Sequence, residues 1–362
     1  MKVSIKAFSA LFLLLPCICA AGDYSYTPAT DLVCVNKFVQ TSKPYHRLDA
    51  DRYPGMTENE KLKCAFPTGL AFSFSSDATT VGVRAAMGRS SDGDISAANN
   101  MRGFDLYVFK DGQWLWAGGK ALSRDCKDPE VLVLAKGLFE GRKHFLLYCP
   151  MVAELKSLDV FVPCGALVEA APSPFRGRVA LWGSSLTQGS GCSRSGESYP
   201  AQLTRLTGVN FINLGFSGRC MLQQYFADAL LEGDVDAYVF DAFSNPSARQ
   251  IRERLFPFIE RFQKEKPGVP LIFIRTIFRE KRLTQPGADA VESEKMAVAD
   301  SLMRIACKKY NDVYWITSST AAGKYRECTT DGTHPTDHGY TLLAESIEKP
   351  LKRILRKYIH DQ

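Results

Sequence analysis

No apolar run in this sequence reaches the ~20 residues a helix needs to cross a bilayer, so stable membrane insertion is not expected. No CxxC pair or Cys/His cluster with zinc-ligand spacing occurs either, and neither a metal nor an organic cofactor is expected. Basic charge is not gathered anywhere. Its 45 Lys and Arg face 39 Asp and Glu, and the net charge of +6 is spread along the chain without the stripe a nucleic-acid partner requires. Histidine is scarce, with five in 362 residues, so few side chains can serve as a neutral-pH base. What is present is ordinary for a folded globular protein: 45% apolar and 23% charged residues. The length favours two domains over one core.

Lys2 and Lys6 precede an apolar stretch over 7–15, followed by Pro16 and the small residues Cys19, Ala20 and Ala21. This is the layout of a secretory signal peptide over residues 1–21, so the mature chain is expected in the periplasm or outside the cell. Nine of the 11 cysteines lie beyond it, an odd number in a compartment that permits disulfides.

Short apolar or alternating runs at 70–74, 80–85, 104–109, 131–134, 144–148 and 158–162 are separated by turn residues, the spacing of an all-β sandwich over 22–169. Trp114 and Trp116 lie two apart on one such strand and should share a face, as buried or inter-domain aromatics or as a platform for a sugar ring. Residues 170–176 are short, small and Pro-rich, a stiff linker. From 177 to 362 the period changes. Apolar strands at 179–182, 209–214, 237–240, 269–274 and 313–316 alternate with helical stretches, which predicts a parallel five-stranded sheet covered by helices. In such sheets the ligand site lies beyond the carboxyl ends of the strands.

Those ends carry polar residues. The first strand runs into Gly183-Ser184-Ser185, the second into 213–218 with Gly218, and the third into 241–246 with Asn245. Asp331 and His334 stand three apart just before the last helix. A serine hydroxyl needs an adjacent base held in the right tautomer, and a tetrahedral oxyanion needs fixed donors. Singly, each residue has a plain alternative as a helix cap, a turn or a polar loop. Elimination points to His334: His46 and His144 fall in the sandwich, His360 in the tail, and His338 at the start of the closing helix.

The four blocks in this order resemble the SGNH hydrolases, or GDSL esterase/lipase superfamily. The resemblance implies a flavodoxin-like three-layer α/β/α fold, with Ser185 as nucleophile, His334 as base and Asp331 orienting it. It also implies an oxyanion hole of the Ser185 and Gly218 N–H groups and the Asn245 amide. Two departures stand out: the usual Gly-Asp-Ser turn is Gly183-Ser184-Ser185 here, and the usual Gly-x-Asn-Asp block is Phe243-Ser244-Asn245-Pro246. Block position selects Ser185 and leaves Ser184 as a turn hydroxyl.

The segments 183–200, 45–48 and 103–107 are similar to a bacterial subgroup with its own amino-terminal, jelly-roll-like β-sandwich. That resemblance implies removal of small acyl groups, often acetyl, from polysaccharides, making an acylated carbohydrate the expected partner. A longer-chain lipase or thioesterase on the same fold, and an inactive glycan-binding protein, are the alternatives. Arg194, in the loop after the nucleophile, is a candidate substrate contact. Cys192 and Cys220 follow two site blocks closely and are a candidate disulfide across the site's rim.

Overall fold

The computed structural model of the protein describes residues 23–359 apart from 92, 94 and 322–325, so the expected signal peptide lies outside the described residues. In the carboxy-terminal half, five strands form one parallel sheet: β1 (Arg176–Gly183), β2 (Val209–Gly215), β3 (Ala237–Asp241), β4 (Leu271–Ile274) and β5 (Val313–Ile316). Their spatial order is β2-β1-β3-β4-β5. This is the doubly wound order that leaves a crevice at the β1/β3 switch point.

The central strands read as unbroken apolar runs because both faces are covered. Ala180, Trp182, Tyr238, Phe240, Leu271 and Phe273 face a core shared with the helices Gln224–Leu231, Ala248–Glu265 and Pro286–Lys309. Val179, Leu181, Val239, Ile272 and Ile274 alternate with them and face the helices Tyr199–Thr207 and Asp337–Leu355. Trp182, fully buried, stacks on Phe258 at 5.5 Å.

The amino-terminal half is two antiparallel sheets. One is ordered 24–28, 153–163, 81–90, 130–135; the other runs 168–170, 71–76, 143–148, 103–110, 113–121. Their inner faces meet in a core of residues such as Phe74, Val83, Phe104, Phe145 and Val160. The second sheet also has an apolar outer face, where Tyr107, Leu146 and Tyr148 pack with Ala201 of the helix Tyr199–Thr207.

The segment from 38 to 64 behaves differently from the rest of the amino-terminal half. Phe38, Leu48, Tyr53, Met56 and Cys64 join the core under the parallel sheet rather than the sandwich core. Arg47 from this segment is fully buried and donates to Phe66 O, Lys63 O and, at 2.8 Å, Gly215 O at the end of β2. Its guanidinium also lies 4.5 Å from the centre of the Phe216 ring. Burial draws it down to about 10. A cation from the first half thus closes the strand end that leads into the Gly218 loop.

Candidate active site

The turn after β1 leads Ser185 into a one-turn helix, Ser185–Gln188. Ser184, fully buried, caps it by accepting from Leu186 N at 3.2 Å, so its hydroxyl is occupied. The helix is held from two sides. Asn213 on β2 donates to Thr187 O at 2.8 Å. Gln188 accepts from Ser217 N at 2.9 Å and reaches Met151 O of the sandwich at 3.4 Å. Gly215 is required here, because a Cβ would sit 2.1 Å from Gln188 N.

Beyond the fifth strand, residues 328–336 fold back on themselves through a bridge between Thr329 and Pro335. Asp331 Oδ1 accepts from Thr333 N and His334 N at 2.9 and 2.8 Å, and its Oδ2 lies 2.8 Å from His334 Nδ1. His334 Nε2 lies 2.9 Å from Ser185 Oγ. Burial alone pushes the Asp331 carboxyl up, but the hydrogen bonds from His334 and Thr333 outweigh it and hold the group below the usual carboxylate range. An ionised carboxylate only accepts, so Nδ1 carries the proton and Nε2 is left to accept from the serine hydroxyl. Glu280 anchors the whole loop by accepting from Cys328 N and Thr329 Oγ1 at 2.9 and 2.6 Å.

The candidate donors for an oxyanion lie at the other strand ends. Ser185 is the first residue of its helix, so its N–H has no intrahelical partner. Gly218 is exposed with φ +70, a conformation a side chain would resist, and among the described residues its N–H meets no acceptor. Asn245 Oδ1 accepts from Cys220 N at 3.2 Å, which orients the amide so that Nδ2 remains available as a donor. The backbone before it is pinned: Arg279 and Lys295 both donate to Ser244 O, at 2.7 and 3.1 Å, and Glu292 bridges the two cations. Asp241 ends β3 beside the Ser185 turn, accepting from Thr187 Oγ1 and Tyr199 OH at 3.1 Å each. Burial raises its carboxyl to about 6. A cavity of about 170 Å³ opens beside His334, with Lys63, Phe66, Met101, Val152 and Ser217 in its wall.

The structure places two of the expected features elsewhere. Arg194 is not in the wall of this cavity. Its guanidinium is consumed by the sandwich, donating to Asp105 at 2.9 Å and Tyr107 OH at 2.5 Å, and by an ion pair with Glu197. Asp105 also accepts from Gly196 N and from Trp116 Nε1, so 103–107 is a clamp on the loop that follows the Ser185 helix. Trp116 stays 53% exposed with Arg194 over its ring, while Trp114 packs against Phe109, His144 and Phe175. The Cys192–Cys220 disulfide is also absent. Both thiols are buried and reduced, and they belong to cores on opposite faces of the parallel sheet.

Reading residues singly missed Arg47, Gln188, Asp241, Glu280 and the pair Arg279 and Lys295. Asp241 alone carried a signal, as an acid at the end of an apolar strand.

Known proteins bear on this arrangement. The GDSL-like Lipase/Acylhydrolase family matches residues 176–352, and a family described as the N-terminus of SGNH-hydro-type esterases, named for its GxDLY pattern, matches 24–168. No curated protein matches the chain significantly. A candidate GDSL-like lipase from Bacteroides ovatus has a solved structure 30% identical over 94% of this chain and 99% of its own, with a TM-score of 0.87. A salicylyl-acyltransferase from a tetracycline biosynthetic pathway is 18% identical over 92% of this chain and 98% of its own, with a TM-score of 0.68. A family two carbohydrate esterase from Clostridium thermocellum, solved with cellohexaose, is 16% identical over 80% and 93%, with a TM-score of 0.57. At those identities the last two show a shared fold. The Bacteroides relative and the matched families together carry more, and the chain belongs to the GDSL-like lipase/acylhydrolase family.

Proposed function

We propose that the protein is an exported serine esterase that removes small acyl groups, chiefly acetyl, from a carbohydrate, with Ser185, His334 and Asp331 as its catalytic residues. The observation that carries this reading is the unbroken series from Asp331 Oδ2 through the His334 ring to Ser185 Oγ, with contacts of 2.8 and 2.9 Å. Ser185 Oγ attacks the ester carbonyl as its proton passes to His334 Nε2. The negative charge moves onto the carbonyl oxygen, where the N–H groups of Ser185 and Gly218 and the Asn245 amide receive it. His334 then returns the proton to the departing sugar oxygen, leaving an acyl-serine. Water, deprotonated by the same ring, attacks the acyl-serine and releases the carboxylic acid.

The carbohydrate half of the reading draws on the shared fold of the carbohydrate esterases.

Acetate release from a panel of acetylated polysaccharides by wild type and Ser185→Ala tests both halves at once. Wild type should release acetate from at least one polysaccharide, and Ser185→Ala should release none above background. Failure of a fluorophosphonate to label wild type at Ser185 would sink the nucleophile assignment, and a preference for octanoyl over acetyl nitrophenyl esters would sink the small-acyl assignment.

A further inference from the structure

The helix that carries Ser185 is four residues long, and a single turn of helix has no stability of its own. It ends at Gly189, whose φ of +93 is a value glycine takes without strain. The N–H groups of Gly189 and Ser190 both donate to Ser185 O, at 3.0 Å each, so these two residues fix the backbone of the proposed nucleophile. The next residue, Gly191, lies against the base loop: a Cβ there would sit 2.7 Å from Pro335 O and 3.4 Å from His334 Cβ. Residues 189–191 therefore form a strut between Ser185 and His334.

Each residue of the strut is tied down from outside. Asn100, 2% exposed on the sandwich helix Ala98–Arg102, donates Nδ2 to Gly189 O at 2.8 Å. Tyr340 OH of the closing helix donates to Ser190 O at 2.7 Å, and Gly191 N donates to Ser96 Oγ at 3.1 Å. Gly189 O has one other donor, Cys192 N at 3.3 Å, which belongs to the same loop and cannot fix it relative to the rest of the molecule. Asn100 is itself anchored, since its N–H donates to Ala97 O and its carbonyl accepts from Met151 N, both at 3.0 Å. Met151 O in turn receives Gln188 Nε2 at 3.4 Å, so residues 188 and 189 dock on one patch of the sandwich.

We propose that Asn100 is a positioning residue of the esterase, fixing Ser185 at its working distance from His334. The sandwich is then half of the catalytic unit rather than a separable glycan-binding module. The inference rests on the esterase reading and adds to it a task for the amino-terminal half. A general base must lie within hydrogen-bond reach of the proton it takes, here 2.9 Å, and a misplacement of about 1 Å can cost ~10²-fold in rate.

The test is Asn100→Leu, which keeps the approximate volume of the side chain and removes the donor. Hydrolysis of nitrophenyl acetate is measured with active sites counted by fluorophosphonate titration run to completion. Expected is a fall in kcat per site of roughly 10–100-fold, with KM within about twofold of wild type. Asn100→Ala should behave alike and decides the matter if the leucine variant does not fold. Val83→Ala, in the sandwich core, is the control for stability. Its urea midpoint should fall while kcat per site stays at the wild-type value.

An unchanged kcat per site in the folded Asn100 variants overturns the inference. Nitrophenyl acetate carries no sugar, so that result would also follow if Asn100 served only to hold carbohydrate. A loss confined to KM overturns it too, as does an equal loss of kcat in Val83→Ala, which would trace the effect to general softening of the sandwich. Ser185-dependent hydrolysis by wild type separates the two readings. Its presence with unaffected Asn100 variants removes this inference alone, whereas its absence removes the esterase reading beneath it.

Discussion

The two halves of the site are built in opposite ways. The candidate base is wired locally: Asp331 accepts from the backbone and ring of a residue three positions on, and both side chains keep contact with solvent. The candidate oxyanion donors are wired at long range. Gly218 sits on a loop whose strand end is closed by Arg47, 168 positions away from Gly215, and Asn245 follows a carbonyl held by Arg279 and Lys295. A locally wired group keeps its geometry when its surroundings change, whereas a group positioned by buried cations depends on the packing of the whole molecule.

The sharpest way to break this comparison is to damage each half chemically without removing its support. Asp331→Asn keeps the size of the side chain but offers an amide to Nδ1, so the ring no longer presents an unprotonated Nε2 to Ser185. Loss of kcat should be ~10³–10⁴-fold on the precedent of serine proteases, with a modest fall in melting temperature at neutral pH as the stabilising carboxylate charge is lost. Asn245→Ala removes one oxyanion donor and should lower kcat by ~10²–10³-fold. Steady-state kinetics on nitrophenyl acetate measures both. A loss below tenfold for Asn245→Ala would exclude that amide from the oxyanion hole.

Arg47→Met attacks the long-range half directly. It strips the guanidinium donors from the buried carbonyls of Phe66 and Gly215, where each orphaned acceptor costs ~1–3 kcal/mol, while Lys63 O keeps Phe66 N at 3.3 Å. Urea unfolding should show a loss of about 3 kcal/mol or more, and Arg47→Lys should not restore it, because a point charge cannot span three carbonyls held by a planar fork. An unchanged urea midpoint would show that the Gly218 loop stands without support from the amino-terminal half.

The two aspartates of the site carry the same contrast into pH dependence. Asp331 is held below its usual range, so its contribution to stability is present at neutral pH and is lost as pH falls through the folded value. Asp241, raised from 3.8 to about 6 by burial, has the opposite sign. The folded protein retains its proton more tightly than the unfolded chain does, so that contribution is full below pH ~4 and lost as pH rises to ~6. Asp241→Asn, which still accepts from Thr187 and Tyr199, should leave stability unaltered near pH 4 and exceed wild type at pH 7 by at most about 3 kcal/mol. Denaturant titrations at pH 4, 6 and 7 check this, and a constant difference across the three would mean that Asp241 does not titrate with folding.

The same division explains what could be read from the sequence. The parallel sheet follows from the alternation of apolar strands and amphipathic helices, and the Ser185 and Asp331–His334 segments were visible because each is compact along the chain. Arg47 and Glu280 were not, since nothing near either residue in sequence announces a carbonyl cluster or a loop to be anchored. The surroundings of Arg194 were hidden for a related reason. Its loop position suggested a ligand, while the acid that captures it, Asp105, lies 89 residues earlier on a sandwich strand.

The cysteines give the smallest expected effect. A bridge between Cys192 and Cys220 would stabilise the fold by about 3–4 kcal/mol through the loop it closes, so its reduction would lower the melting temperature by several degrees. The structure places the two thiols in separate cores with the parallel sheet between them, and burial raises both well above the ordinary thiol range, which makes them poor thiolates and slow to oxidise. Melting curves with and without reductant should therefore coincide, and Cys192→Ala should destabilise the protein equally in both. Dependence of that loss on reductant would mean that Cys192 is oxidised in solution and that its packing near the nucleophile turn is not the one described.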